Sequence, residues 1–349
     1  MPEYSFNGIR ISSTIFALAV LLSPLANTAL GSTFDPVTIT NPTPATGGTF
    51  GYSVSISQNY VLVGKPYDSY SDVTNAGSAY LFDATSGDLL KTFLNPAPSC
   101  HDSFGQSVSV LGNYVLVGAP YANCGDGAAY LFNATSGVLL NTFTDPDNEG
   151  GNLFGDAVSV SGNNVLVGAN AQSNPNTGSG AGAVYLFNAN TGTLLQTFTE
   201  PTPADYDNFG ISVSMSGNNV LVGSYFTFRG GIDTGGAAYL FNATSGSLLQ
   251  SFQNPTPESN DLFGYSVDIS GNNVVVGTPS DNTAASQAGA AYLFNANTGA
   301  LLKTFTEPTP AANDAFGSAV SVLGNNVLVG APYAYGGSGG AFIFRANAN

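Results

Sequence analysis

The feature that most constrains the fold of this chain is an internal repeat of roughly 50 residues. A Phe-Gly pair recurs at six places that lie 50 to 55 residues apart. The six pairs begin at Phe50, Phe104, Phe154, Phe209, Phe263 and Phe316. A period of this length is typical of repeats built from small β-sheets, so the structure of one unit predicts the architecture of the whole chain.

Each unit contains the pattern of four short strands. In the second copy, residues 107–110 alternate polar and apolar side chains, which is typical of a strand with one buried face. A Gly-Asn turn separates them from the apolar run 114–118. Residues 128–132 and 139–144 are β-branched, aromatic and apolar stretches that predict a third and a fourth strand. Four antiparallel strands in one repeat are typical of a blade of a β-propeller.

The two ends of the chain complement each other. Residues 38–44 match residues 304–310, the end of a fourth strand, yet no blade precedes them. The last copy stops after its third strand. We therefore expect an all-β fold, a six-bladed β-propeller of four-stranded antiparallel blades, in which residues 37–42 supply the fourth strand of the last blade and close the ring. Residues 32–349 form this single domain.

Residues 1–31 do not follow the repeat. Arg10 precedes an apolar run at 15–22 that is too short to span a bilayer, and Ser23-Pro24 ends the run. Small residues then precede Ser32. This pattern predicts a secretory signal peptide, with an uncleaved membrane anchor as the alternative. We expect a protein that is secreted or held at the cell surface, with no membrane insertion after cleavage.

The composition restricts the class of partner. The chain has 22 Asp and Glu against 6 Lys and Arg, a formal net charge of −16. Binding to nucleic acid or anionic lipid needs basic side chains, so both are excluded as partners. Extracellular glycans and proteins remain as the expected partners. In an exported protein the two cysteines, Cys100 and Cys124, are expected to form a disulfide, and a metal site that includes His101 is the weaker alternative.

The spacing of two motifs resembles a known family. Phe104-Gly105 is followed 13 residues later by Gly-Ala-Pro at 118–120, and Phe316-Gly317 by the same motif at 330–332. This pattern resembles the FG-GAP repeat family, found in the propeller of integrin alpha subunits and in many secreted microbial proteins. The resemblance covers residues 33–349 and implies a propeller that acts in binding or adhesion.

One part of the family pattern is absent. Many members carry an Asp-rich calcium loop between Phe-Gly and Gly-Ala-Pro, whereas turns such as Gly162-Asn163-Asn164 stand there in this chain. These turns offer no carboxylate, so the usual calcium sites are not expected and no cofactor is predicted. A second acidic set lies two residues before the Phe of each pair and consists of Asp102, Asp207, Asp261 and Asp314. These are weak candidates for metal ligands, and the alternative is that they cap turns.

The loops between second and third strands vary most, so we expect the binding residues there. The candidates are Tyr121, Tyr225, Phe226, Phe228, Arg229, Tyr333 and Tyr335, and the corresponding loop of the first repeat carries Tyr67 and Tyr70. Aromatic side chains on one face stack on sugar rings or anchor a protein partner, and local packing is the alternative. A small polar set on the first strand is expected to face a central channel. Its members are Ser55, Ser109, Ser159, Ser214, Asp268 and Ser321, with Asp268 as a solvated acid at the channel wall and a site within the channel as the alternative.

Catalysis has little support in the sequence. The chain has one histidine and no recognisable nucleophile with a base. A glycoside hydrolase or lyase that uses loop carboxylates such as Asp205 and Asp207 remains an alternative, as does a structural envelope component. Asn133 and Asn242 fit the N-glycosylation acceptor pattern on exposed turns.

Overall fold

A computed structural model describes residues 37–44, 49–70, 72–99, 101–147, 150–173, 180–226, 228–229, 232–233 and 235–345. The signal peptide predicted for residues 1–31 lies outside this part of the chain and stays a prediction.

The strands follow the repeat. The first three blades contain β1 (Ser53–Ile56), β2 (Tyr60–Lys65), β3 (Ser78–Asp83), β4 (Leu89–Leu94), β5 (Ser107–Leu111), β6 (Tyr114–Ala119), the short α1 (Ala122–Gly125), β7 (Ala128–Asn133), β8 (Leu139–Thr144), β9 (Ala157–Ser161), β10 (Asn164–Ala169), β11 (Ala183–Asn188) and β12 (Leu194–Phe198).

The last three blades contain β13 (Ser212–Ser216), β14 (Asn219–Ser224), the loop hairpin β15 (Phe228–Arg229) and β16 (Ile232–Asp233), β17 (Ala237–Asn242), β18 (Leu248–Gln253), β19 (Ser266–Ser270), β20 (Asn273–Thr278), β21 (Ala290–Asn295), β22 (Leu301–Phe305), β23 (Ala319–Leu323), β24 (Asn326–Ala331), the short α2 (Ala334–Gly337) and β25 (Gly340–Arg345).

Each blade is an antiparallel meander in chain order. In the second blade Val108 lies opposite Val117, which in turn lies opposite Tyr130. The third and fourth strands change register between Leu131 and Phe132, and the same shift recurs in the other complete blades. The six blades form a β-propeller, which confirms the predicted fold.

Aromatic rings fill the space between neighbouring blades. Phe104, from the Phe-Gly pair, lies 5.7 Å from Tyr130 and 6.1 Å from Phe132 between ring centres. Phe93, from the fourth strand of the preceding blade, lies 5.0 Å from Phe132. All four rings are buried. The repeated aromatics of the sequence are therefore the core between blades, because each blade is too thin to bury them alone.

Serines on the first strands join one blade to the next. The Ser109 hydroxyl accepts the N–H of Val160 at 3.0 Å, and the Ser107 hydroxyl donates to the Gly155 carbonyl at 2.7 Å. The prediction that the set headed by Ser55 and Ser109 faces an open channel is wrong, since all its members are buried. The Ser55 and Ser109 hydroxyls accept backbone N–H groups of the next blade, whereas Ser214 and Ser321 donate to the Asp268 carboxylate.

Asp268 replaces serine in this set and joins three blades. Its carboxylate accepts hydrogen bonds from Ser214 Oγ at 2.7 Å, Ser321 Oγ at 3.1 Å, the Ile269 N–H at 3.0 Å and the Val322 N–H at 2.8 Å. Asp268 is only 1% exposed, so its description as a solvated acid is wrong. Burial raises the pKa of Asp268 to about 6, against the hydrogen bonds that favour its charged form.

The N-terminal segment lies against the first blade. Ile39 packs in one apolar cluster with Phe50 and Val63. Val37 lies over Gly87, in the way that side chains of the preceding fourth strand lie over the equivalent glycine of later blades. Residues 37–39 therefore take the place that a fourth strand of the preceding blade has elsewhere.

The last blade has three strands in the described part of the chain, β23 to β25. Ile343 of β25 is 58% exposed, whereas Leu131, at the same position in the second blade, is fully buried. The pairing of residues 37–42 with β25 as a fourth strand stays a prediction.

We predict that the protein becomes more stable as the pH falls from 7 to about 4, in part through Asp268. Its folded-state pKa of about 6 lies above the unfolded value, so the folded state holds a proton that the unfolded state releases. Stability is therefore lost as pH rises through this window, by up to about 3 kcal/mol for a shift of roughly two units. Urea unfolding between pH 4 and 7 should show a flatter profile for Asp268→Asn than for the wild type. Profiles of equal slope would contradict this assignment.

We also predict that Ile39→Asp lowers the free energy of unfolding by about 1–3 kcal/mol, because it places a charge in the cluster on the first blade. The control is Thr38→Asp, since Thr38 is exposed beside it. Thermal and urea unfolding of both variants measure the difference, and equal effects would show that residues 37–39 do not hold the blade.

Candidate functional site

One end of the propeller gathers the variable segments. In every blade the connection that enters the first strand and the loop between second and third strands lie at this end, because the strands alternate in direction. In the second blade these segments are residues 95–106 and 120–127. We call this end, with the equivalent segments of the other blades, the loop face.

The acidic set caps the turns that lead into each blade. Asp102 is fully buried, and its carboxylate accepts hydrogen bonds from the Ser99 N–H at 2.6 Å and from Asn95 Nδ2 at 2.7 Å. Asp207, Asp261 and Asp314 are also buried. Each of these three carboxylates accepts the backbone N–H of the residue three positions earlier, at 2.5 to 2.7 Å. These contacts correspond to the turn-capping alternative.

The same aspartates also position an aromatic residue on the loop face. The Asp102 carbonyl accepts the N–H of Tyr121 at 3.4 Å, and the Asp314 carbonyl accepts the N–H of Tyr333 at 3.3 Å. Both tyrosines follow directly after Gly-Ala-Pro. They are 45% and 37% exposed. In these two blades the turn thus sets the position at which the tyrosine meets solvent.

This position carries an aromatic ring in four blades. We call the set the aromatic column, and its members are Tyr67, Tyr121, Phe226 and Tyr333. Tyr67 and Phe226 are half-buried. In the third and fifth blades the position holds Ala171 and Ser280. Tyr67 is one of the loop aromatics of the first blade, and aligning the third residue after the glycine that ends the second strand shows that it shares this position with the other three.

A second group lies at the start of the innermost strands and surrounds the propeller axis. Gln106 Nε2 lies 3.2 Å from Tyr52 Oη and 3.5 Å from Asp156 Oδ1, so it bridges the first and third blades. The Tyr52 ring lies 5.9 Å from that of Tyr67, which connects the axial group to the aromatic column. The axial residues Tyr52, Gln106 and Asp156 are absent from the candidates named above, although each occupies the position directly after Phe-Gly in its copy of the repeat.

The other predicted binding residues take different places. The rings of Tyr225 and Phe226 lie 4.6 Å apart, and Tyr225 also lies 5.9 Å from Tyr265 of the axial group. Phe228 and Arg229 form β15, which pairs with β16, and their side chains lie outside the described part of the structure. Tyr335 is 62% exposed beside Phe342, with a ring distance of 6.2 Å.

Two further predictions concern reactive side chains. Asp205 is exposed, but Asp207 is buried in its cap, so the two acids do not form an exposed pair for glycoside hydrolysis. Cys100 and the Cys124 side chain lie outside the described residues, and their disulfide stays a prediction. Within the described segments, no three His, Cys, Asp or Glu side chains cluster in a way that holds a metal ion.

The pKa values of three acids on the loop face differ from their ordinary values. Burial, together with the charges of Asp281 and Glu258, raises the pKa of Asp261 to about 6. Burial and the adjacent Asp314 raise the pKa of Glu307 to about 6 as well. In the first blade burial opposes ionisation of Asp68, but hydrogen bonds, first of all from a lysine, outweigh it and lower the pKa of Asp68.

We predict that Asp102→Ala lowers the free energy of unfolding by about 1–3 kcal/mol, since it leaves the Ser99 N–H and the amide of the buried Asn95 without this acceptor. Asp88→Ala is the control, because Asp88 is exposed on a turn at the opposite end. Its effect should stay within about 0.5 kcal/mol. Urea unfolding with and without calcium gives the comparison, and a loss that appears only in calcium would contradict the capping role of Asp102.

No helix in the described segments is long and apolar enough to span a membrane. A search of curated proteins finds no match. The model of the FG-GAP repeat matches the chain six times, at residues 37–82, 98–132, 139–187, 194–241, 256–294 and 304–344. These segments cover most of the chain, and each spans the first three strands of one blade, so the protein belongs to the FG-GAP repeat family.

Proposed function

We propose that this protein is a secreted or cell-surface binding module that recognises extracellular glycan or protein through its loop face, in adhesion or capture. The observation that carries the proposal is the aromatic column. A ring occupies one structural position in four blades, and in the second and sixth blades a capped aspartate turn holds its backbone.

Rigid aromatic residues are suited to recognition. Tyrosine offers a large apolar surface and one hydroxyl group, and it loses little conformational entropy when it is bound. Tyr121 and Tyr333 already expose more than a third of their surface while their backbone is hydrogen-bonded. A binding surface of this kind does not have to order itself on contact with a ligand.

The charge of the protein favours particular ligands. A net charge of −16 repels polyanions, so sulfated or uronic-acid polysaccharides are disfavoured. Neutral glycans and proteins with basic or uncharged surfaces are the ligands that this loop face suits.

The test is a glycan-array and polysaccharide pull-down screen, followed by titration of the ligand found. We expect Tyr121→Ala and Tyr333→Ala each to weaken binding by about tenfold, because one anchoring aromatic contributes on the order of 1–2 kcal/mol or more. The matched control is Tyr206→Ala, since Tyr206 is 63% exposed on the loop face but outside the aromatic column. Equal losses in all three variants, or the absence of saturable binding to glycans and to cell-surface proteins, would contradict the proposal.

A further inference from the structure

The first blade contains a lysine ammonium group buried at its loop-face end. Lys65 is fully buried, and its Nζ donates hydrogen bonds to the Thr43 carbonyl at 2.8 Å and to Thr43 Oγ1 at 3.1 Å. It also lies 2.8 Å from Asp68 Oδ1. Thr43 Oγ1 lies 2.6 Å from the Tyr80 hydroxyl, which donates to Asp68 Oδ2 at 3.0 Å. A cation surrounded by oxygen atoms therefore fills this pocket.

The fifth blade repeats the polar frame of the pocket. Thr256 Oγ1 lies 2.7 Å from the Tyr292 hydroxyl, and that hydroxyl donates to Asp281 Oδ2 at 2.6 Å. Each residue stands at the same repeat position as its counterpart in the first blade. The equivalent Thr–Tyr–Asp network is therefore present, with the same hydrogen bonds.

The cation is missing from the frame in the fifth blade. Thr278 stands in the place of Lys65, directly after the glycine that ends the second strand. Thr278 is fully buried, and its hydroxyl oxygen has no hydrogen-bond partner among the described residues. The network of the fifth blade therefore lacks the positive charge that Lys65 supplies in the first.

The fifth blade also has an additional acid. Asp261 is 1% exposed, and its Oδ1 has no hydrogen-bond partner among the described residues. The Asp261 carbonyl accepts the N–H of Ser280, so Asp261 lies beside the loop that carries Thr278 and Asp281. Asp281 is also 1% exposed. The first blade balances one carboxylate with one lysine, whereas the fifth buries two carboxylates and has no lysine at this position.

We propose that a calcium ion binds in this pocket of the fifth blade, at the place that the Lys65 ammonium group holds in the first. Asp281 and Thr256, the counterparts of the residues that hold the Lys65 ammonium group, would be its ligands together with Asp261, and the shorter Thr278 side chain would reach the ion through water. The donors are all oxygen atoms, which calcium prefers over softer ligands, and two carboxylates balance a divalent charge. Backbone carbonyls and water complete the coordination shell in sites of this type.

The position differs from that of the family's calcium loop, which lies between the Phe-Gly and Gly-Ala-Pro motifs at the turn of the first two strands. The proposed ion connects the segment that enters the fifth blade, residues 256–261, with the loop at residues 278–281. Both segments belong to the loop face. Calcium would therefore order this part of the loop face, independently of whether the aromatic column binds a glycan or a protein.

The test measures calcium binding to the whole protein after treatment with chelator. We expect isothermal titration to give one calcium ion per chain, and thermal unfolding in calcium to show a midpoint raised by several degrees relative to sodium at the same ionic strength. Terbium, which replaces calcium in oxygen sites, should give emission sensitised by a tyrosine, because Tyr292 contacts the pocket. No heat of binding together with no shift of the midpoint would overturn the proposal.

Variants separate a specific site from a general effect of charge. Asp281→Asn and Asp261→Asn should weaken calcium binding at least tenfold, while Asp88→Asn, the same change at an exposed position, should leave it unaltered. Thr278→Lys should abolish binding and give, without calcium, a midpoint at least as high as that of the calcium-free wild type, because it restores the arrangement of the first blade. Equal losses in Asp281→Asn and Asp88→Asn, or full calcium binding by Thr278→Lys, would overturn the site.

Discussion

The contact on which the propeller depends is a close approach of two backbones at the junctions between consecutive blades. A side-chain carbon on Gly118 would lie 2.0 Å from the carbonyl oxygen of Gly155 in the next blade, and one on Gly64 would lie 2.1 Å from the carbonyl oxygen of Gly105. Any other residue at either first position would push the blades apart. The glycines of the two motifs are therefore required by one interface that recurs between consecutive blades.

This approach determines how the rest of each junction is built. With the inner strands in backbone contact, serine hydroxyls such as that of Ser107 reach the neighbouring carbonyl groups, and Asp268 reaches two other blades at once. Further from the axis the blades diverge, so larger side chains are needed to fill the gap. The rings of Phe93, Phe104 and Phe132 meet that need without any tryptophan in the chain.

Because the backbone of the blade is repeated six times, one repeat position can carry chemically different side chains in different blades. The residue after the glycine of the second strand is Lys65 in one blade and Thr278 in another, while the Thr–Tyr–Asp network around it is kept. Two residues further along, the position carries a tyrosine in some blades and a small residue such as Ala171 in others. The loop face is therefore varied in its side chains on a backbone that the junctions hold rigid.

The sequence by itself determined the architecture, because six copies of one strand pattern and two glycine motifs permit few folds other than a propeller. It also located the aromatic core, since residues such as Tyr130 and Phe132 alternate along one strand face. It did not determine the direction in which polar groups point. Asp268 and the serines around it were expected at an open channel. Only the packing of the inner strands shows that Ser109 meets the backbone of the adjacent blade and that Asp268 meets backbone and hydroxyl groups of both its neighbours.

The acidic residues also differ in a way that the sequence did not determine. The sequence placed Asp102 and Asp261 at one repeat position and left capping and metal binding as alternatives for both. The tertiary structure separates them, because Asn95 and Ser99 satisfy the Asp102 carboxylate, whereas Asp261 keeps an unpartnered oxygen beside a second buried acid. That difference depends on groups brought together from separate loops, and spacing along one chain does not contain it.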